Sequence, residues 1–139
     1  MSKYGSVKYW ENRYESTPGI TFDWLEDYST CKDLLGQLVK KNNSILNLGC
    51  GNGIIQEKMY DDGYTEIMNV DISKSVVDYM TERSRESRPN LKYKTADITD
   101  LSECFDDNTY DVIFDKGTLD TMLCYSKPSV TGAKVLKEV

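Results

Sequence analysis

The sequence contains no histidine, which excludes a Ser-His-Asp or Cys-His nucleophile, histidine-ligated zinc and imidazole general-base chemistry. Paired cysteines are missing too. Cys31, Cys50, Cys104 and Cys124 stand far apart with no CxxC spacing, and nothing from Met1 to Trp10 resembles a secretory signal, so the thiols read as reduced and the location as cytoplasmic. No apolar run approaches the ~18 residues of a membrane helix, so no membrane partner is expected. Basic residues are the minority, 17 Lys and Arg against 23 Asp and Glu, for a formal charge of -6. That balance argues against nucleic acid as partner, because phosphate binding rests on Lys and Arg, and suits a basic protein better. The sequence has no repeat or low-complexity tract, and its three prolines, Pro18, Pro89 and Pro128, fall between candidate elements. The 139 residues suit one domain with its own core.

What the chain does have begins with aromatics. Tyr9, Trp10 and Tyr14 mark a short helix over Val7 to Tyr14, with Trp10 and Tyr14 i,i+4 neighbours on one face. After Pro18-Gly19 comes Phe22-Asp23-Trp24, then a helix from about Tyr28 to Lys40 with Leu34, Leu35 and Leu38 as its apolar stripe. From Ser44 strands alternate with helices. Strands are expected at Ser44 to Leu48, Glu66 to Asp71, Leu91 to Thr95 and Tyr110 to Asp115. Helices are expected at Gly53 to Asp62, from Ser73, a simple N-cap, to about Arg85, and from Pro128 to Val139, the start of the helix after the fourth strand. This βαβαβ alternation predicts an α/β fold with a parallel sheet, right-handed crossovers and helices on its faces.

The most informative stretch is Ile45 to Gly53, ILNLGCGNG, a strand running into a Gly-x-Gly-x-Gly turn and a helix. Glycine lets backbone approach a ligand where a Cβ would clash, and the next helix offers free N–H groups. Asp71 ends the second strand twenty positions after Gly51. A carboxylate there can accept both hydroxyls of an adenosine ribose. A dinucleotide fingerprint needs a glycine at the sixth loop position, where Ile54 stands, which counts against NAD or FAD. Asp97 follows the third strand on the same rim of the sheet, where it could accept from an adenine amine between Ile72 and Ile98.

LNLGCGNG, NVDIS, TADIT and FDKGTLD together resemble the consecutive motifs of class I, seven-strand, S-adenosylmethionine-dependent methyltransferases. YWENRY at Tyr9 to Tyr14, FDWL at Phe22 to Leu25 and DKGTLD at Asp115 to Asp120 are similar to the narrower group that methylates lysine in translation elongation factor one-alpha, which includes methyltransferase-like protein thirteen. The resemblance implies a Rossmann-like, doubly wound parallel sheet with S-adenosylmethionine as cofactor. Trp10, Tyr14 and Trp24 would cover the cofactor, and Gly49 and Gly51 would approach its methionine part. Asp71 and Ile72 would hold the ribose, and Asp97 and Ile98 the adenine. Lys116 joins this set and, with Asp115, would lie at the mouth of the methyl-transfer site. No residue is assigned as catalytic and no metal is expected. Methyl transfer is a direct displacement, served by alignment and exclusion of water.

Protein lysine, of elongation factor one-alpha above all, is the acceptor the resemblance implies. The alternatives are a catalytically incomplete S-adenosylmethionine-binding module or a small-molecule acceptor. Residues 1–43 read as an N-terminal helical lid and 44–139 as the βαβ core of one methyltransferase domain. The family sheet runs 3-2-1-4-5-7-6, but four strands are countable here, so the fold reads as truncated after strand four. That strand would be a bare edge carrying Val112, Ile113 and Phe114, which self-association would cover.

Overall fold

The computed structural model describes residues 3–124 and 128–139. After a 3-10 turn at Lys3–Gly5, helix α1 spans Val7–Ser16 and α2 spans Tyr28–Leu38. Strand β1 (Ile45–Leu48) leads to α3 (Ile55–Asp61), β2 (Ile67–Asp71), α4 (Lys74–Ser84) and β3 (Lys92–Thr95). A second 3-10 turn at Leu101–Glu103 precedes β4 (Val112–Asp115), which is followed by α5 (Thr118–Met122) and α6 (Pro128–Glu138).

The four strands form one parallel sheet in the order β3-β2-β1-β4. The chain steps outward from β1 through β2 to β3, then returns to the other side of β1. The reversal falls beside β1, and this is where an open α/β sheet forms its ligand crevice. Register aligns Leu48 with Val70 on one side and with Asp115 on the other. The glycine turn and the end of β2 therefore emerge on one rim.

Burial on both faces explains why β1 is apolar along most of its length. Ile45 packs with Leu35, Ile55, Met59 and Tyr64 on one face, whereas Leu46 and Leu48 pack with Val70, Ala96, Ile98 and Val135 on the other. Asn47 breaks the run. Its amide donates to Asn69 Oδ1 at 2.8 Å, and Asn69 Nδ2 donates to the Lys92 carbonyl at 2.9 Å, so both buried amides are partnered across three strands.

Two expectations need correction. Leu34 and Leu38 are 58% and 72% exposed, and α2 docks instead through Leu35, with Tyr28, Cys31 and Val39 on the same side. Packing against α3 and β1 selects that face of the helix over the leucine-rich one. The segment after β4 also differs, because the five-residue helix α5 stands between that strand and the expected helix from Pro128. The N-cap at Ser73 is borne out, its hydroxyl accepting the Val76 N–H.

Candidate cofactor and methyl-transfer site

At the carboxyl ends of the strands lies a cavity of about 280 Å³, close to the lower end of the ~300 to 1,000 Å³ usual for ligand clefts. Its walls include the glycine turn, the ends of β2 and β4, the start of α5 and the N-terminal segment. All ten residues expected to hold the cofactor line it: Trp10, Tyr14 and Trp24 from the N-terminal segment, Gly49 and Gly51 from the turn, Asp71 and Ile72 after β2, Asp97 and Ile98 after β3, and Lys116 after β4. Asp115 is not among the lining residues. Its carboxylate accepts the Leu119 N–H at 3.2 Å and so caps α5 from β4. The expectation that it lies at the mouth is corrected accordingly.

Asp71 is the electrostatic centre of the rim. One carboxylate oxygen accepts the Gly51 N–H at 2.9 Å and the other the Ser73 N–H at 3.0 Å. Burial pushes its pKa up to about 6, opposed by these backbone donors. A carboxylate has about four lone-pair directions, so two N–H bonds leave capacity for two hydroxyls. Asp97 accepts the Thr99 N–H and hydroxyl through Oδ1, and among the described residues its Oδ2 accepts no hydrogen bond. Burial also raises the Tyr14 hydroxyl well above its ordinary range, with the Asp71 charge adding to it, so Tyr14 stays protonated.

The glycines serve a purpose that spacing alone did not reveal. A Cβ on Gly49 would fall 2.1 Å from Thr118 Oγ1, one on Gly51 2.9 Å from the Tyr14 hydroxyl, and one on Gly53 2.2 Å from Asp23 Oδ1. The room made by each missing side chain is thus taken by a protein group. Gly49 and Gly51 therefore allow close packing against α5 and the N-terminal segment, and both also line the cavity expected to hold the ligand. Gly49 and Gly51 have φ of 61° and 53°, which adds a conformational reason for glycine.

A strap over residues 20–25 closes the turn. Phe22 N–H donates to the Asn52 carbonyl at 3.1 Å, Asn52 Nδ2 to the Ile20 carbonyl at 2.8 Å, and Ile54 N–H to Asp23 Oδ2 at 3.0 Å. Asp23 thereby supplies the cap that Ile54, at the N-terminus of α3, lacks. Lys116 donates to the Trp24 carbonyl and stands 3.6 Å from Asp23 Oδ1. Behind the strap, α1 is fixed to the N-terminus of α4 by Glu11, which accepts from the Ser73 and Ser75 hydroxyls and the Ser75 N–H. Asp23, Glu11 and Thr118 were not singled out from sequence. All three lie inside quoted motifs, Glu11 in YWENRY, Asp23 in FDWL and Thr118 in DKGTLD, but the motifs alone do not say what these side chains bond.

The aromatic wall is a connected set. Trp10 stacks on Tyr14 with centroids 6.0 Å apart, meets Trp24 edge-on at 6.1 Å and donates its Nε1 to the Tyr4 carbonyl. Trp24 Nε1 is buried and, among the described residues, has no hydrogen-bond partner. An orphaned indole donor in a cavity wall is a costly feature that a polar ligand would satisfy. With the spare acceptor capacity at Asp71 and Asp97, it makes the lining fit a polar nucleoside.

Residues 39–139 match the family described as a methyltransferase domain. The chain is 34% identical over 137 residues to the eEF1A lysine and N-terminal methyltransferase of Danio rerio, a match covering 99% of this chain and 19% of that protein. The chain thus spans about a fifth of that relative's length. Among solved structures, the PH0226 protein of Pyrococcus horikoshii OT3 superposes with a TM-score of 0.67 at 26% identity, over 92% of this chain and 58% of that one. The glycopeptide N-methyltransferase MtfA, solved with sinefungin, shares the fold at a TM-score of 0.61 and 18% identity, over 88% of this chain and 54% of that one. With its strand order, glycine turn and strand-end acid, the chain belongs to the class I S-adenosylmethionine-dependent methyltransferase family.

Proposed function

We propose that the chain binds S-adenosylmethionine in this cavity and takes part in methylation of a protein lysine, with elongation factor one-alpha as the acceptor. The observation that carries the reading is the convergence of all ten expected residues on one cavity. Asp71 accepts the ribose hydroxyls, Asp97 an adenine amine between Ile72 and Ile98, and Trp10, Tyr14 and Trp24 cover the cation from the strap side. The cofactor supplies an electrophilic methyl group on a sulfonium. The chain supplies alignment and a dry enclosure, which can lower a displacement barrier by ~7 to 11 kcal/mol.

A lysine acceptor has to be neutral to attack, and deprotonating it at pH 7 costs roughly 4.6 kcal/mol from a pKa of ~10.4. Burial in the cavity and the charge of the bound sulfonium favour the neutral amine, because desolvation and a like charge both disfavour ionisation. Residues 1–43 act as the lid and 44–139 as the binding core. The acidic chain meets a basic protein surface in the cytoplasm, and β4, which among the described residues pairs only with β1, associates with a second copy. A stable monomer in light scattering at high concentration would remove that last element.

Incubation of the chain with methyl-labelled S-adenosylmethionine and purified elongation factor one-alpha tests the reading. Label in the factor is expected. Cofactor binding without label would leave a binding module, and label confined to small molecules would point to a different acceptor class.

A further inference from the structure

Four carboxylates line the cavity, and three are already engaged. Asp23 accepts the Ile54 N–H and faces Lys116, Asp71 accepts from Gly51 and Ser73, and Asp97 accepts from Thr99. Asp120 differs. Among the described residues its carboxylate accepts no hydrogen bond and joins no ion pair, and it lies exposed in the first turn of α5. The nearby acid, Asp115, is committed to capping that helix.

The same cavity wall carries exposed apolar side chains. Val7, Phe22 and Leu25 all line it and are 45%, 49% and 74% exposed. Leu25 holds a left-handed backbone, φ 66°, and lies against Gly117, with Cδ1 3.4 Å from where a Cβ of that glycine would stand. A leucine in that conformation is uncommon, so the surrounding structure holds it there. An unpaired carboxylate lining the same cavity as exposed aliphatic and aromatic surface is complementary to one kind of group, a cation at the end of an apolar stem.

We propose that Asp120, with Leu25 and Phe22, is the acceptor-side subsite: the carboxylate takes the primary ammonium of a lysine side chain and the apolar pair takes its methylenes. This rests on the reading of the cavity as a methyl-transfer site and names its acceptor-binding residues. Asp120 captures the charged form at the exposed side of the cavity, and burial beside the sulfonium disfavours that charge once the amine enters. Entry and ionisation are therefore governed by different surroundings.

The test uses the chain loaded with S-adenosylhomocysteine and titrated, with NMR detection, with N-acetyl-lysine methylamide and with N-acetyl-norleucine methylamide, which keeps the stem and lacks the ammonium. The lysine probe should bind the parent chain more tightly than the norleucine probe. Asp120→Asn should weaken the lysine probe about fivefold and leave both the norleucine probe and S-adenosylhomocysteine unchanged. High salt should erase the difference between the two proteins. Equal binding of the lysine probe to parent and variant, or no preference for it in the parent, would overturn the subsite while leaving the cofactor reading intact. Failure of S-adenosylhomocysteine to bind would overturn the cofactor reading and the subsite with it.

Discussion

Gly49 is the position where one added carbon does most harm. Its Cβ would meet Thr118 Oγ1 at 2.1 Å on a backbone with φ 61°. Gly49→Ala should therefore destabilise by about 2 kcal/mol or more, read by urea unfolding, and Thr118→Ala should return part of the loss. Gly36 is the contrasting case: it lies inside α2 with nothing within 4 Å of an added Cβ, so Gly36→Ala should stabilise by ~0.4 to 1 kcal/mol. The importance of the glycines was legible in the Gly-x-Gly-x-Gly spacing. Their packing role was not, because Tyr14, Asp23 and Thr118 come from segments distant in sequence that only folding brings to the turn. Asp71 carries a pH signature. Its folded pKa of about 6 exceeds the ~3.9 of an unfolded aspartate, so the stability linked to its bound proton is complete below pH ~4 and is lost as pH rises through about 6. Urea unfolding of the parent chain and Asp71→Asn at pH 4.5 and 7.5 should show the parent losing stability relative to the variant over that interval.

The strap and the helix beside it act as elements rather than as single contacts. Lys116 joins the segment after β4 to the strap through the Trp24 carbonyl and Asp23. Lys116→Ala should raise hydrogen exchange at residues 20–25 at least tenfold, while β1 and β2 keep their protection. An unchanged strap would mean that its backbone bonds to Asn52 hold it unaided. For α2, the apolar spacing was visible in sequence, but three leucines on one helix do not say which side meets the sheet. The stripe of Tyr28, Cys31, Leu35 and Val39 wins because it faces Ile45, Ile55 and Met59. Leu35→Ala should cost about 2 to 4 kcal/mol and Leu38→Ala less than about 0.5 kcal/mol, as measured by thermal unfolding. Helix α5 escaped the sequence reading because five residues are too few to display a period.

At the scale of the whole molecule, sheet order and binding rim are one fact. The alternation of strands and helices was readable because β1 runs into Gly49, β2 and β4 end on Asp71 and Asp115, and Asp97 lies two residues past β3. The placement of β4 beside β1 creates the crevice, and it follows from a long-range pairing that local pattern does not encode. The crevice then gathers a glycine turn, a strand-end acid and an aromatic strap on one cavity. Calorimetric titration of S-adenosylmethionine into the chain at pH 7.5 measures directly whether that cavity is an adenosyl-sulfonium site anchored at Asp71. One site per chain is expected, with affinity falling at least about tenfold, or 1.4 kcal/mol, in Asp71→Ala. No heat of binding in the parent chain, or equal affinity in the two proteins, would contradict it.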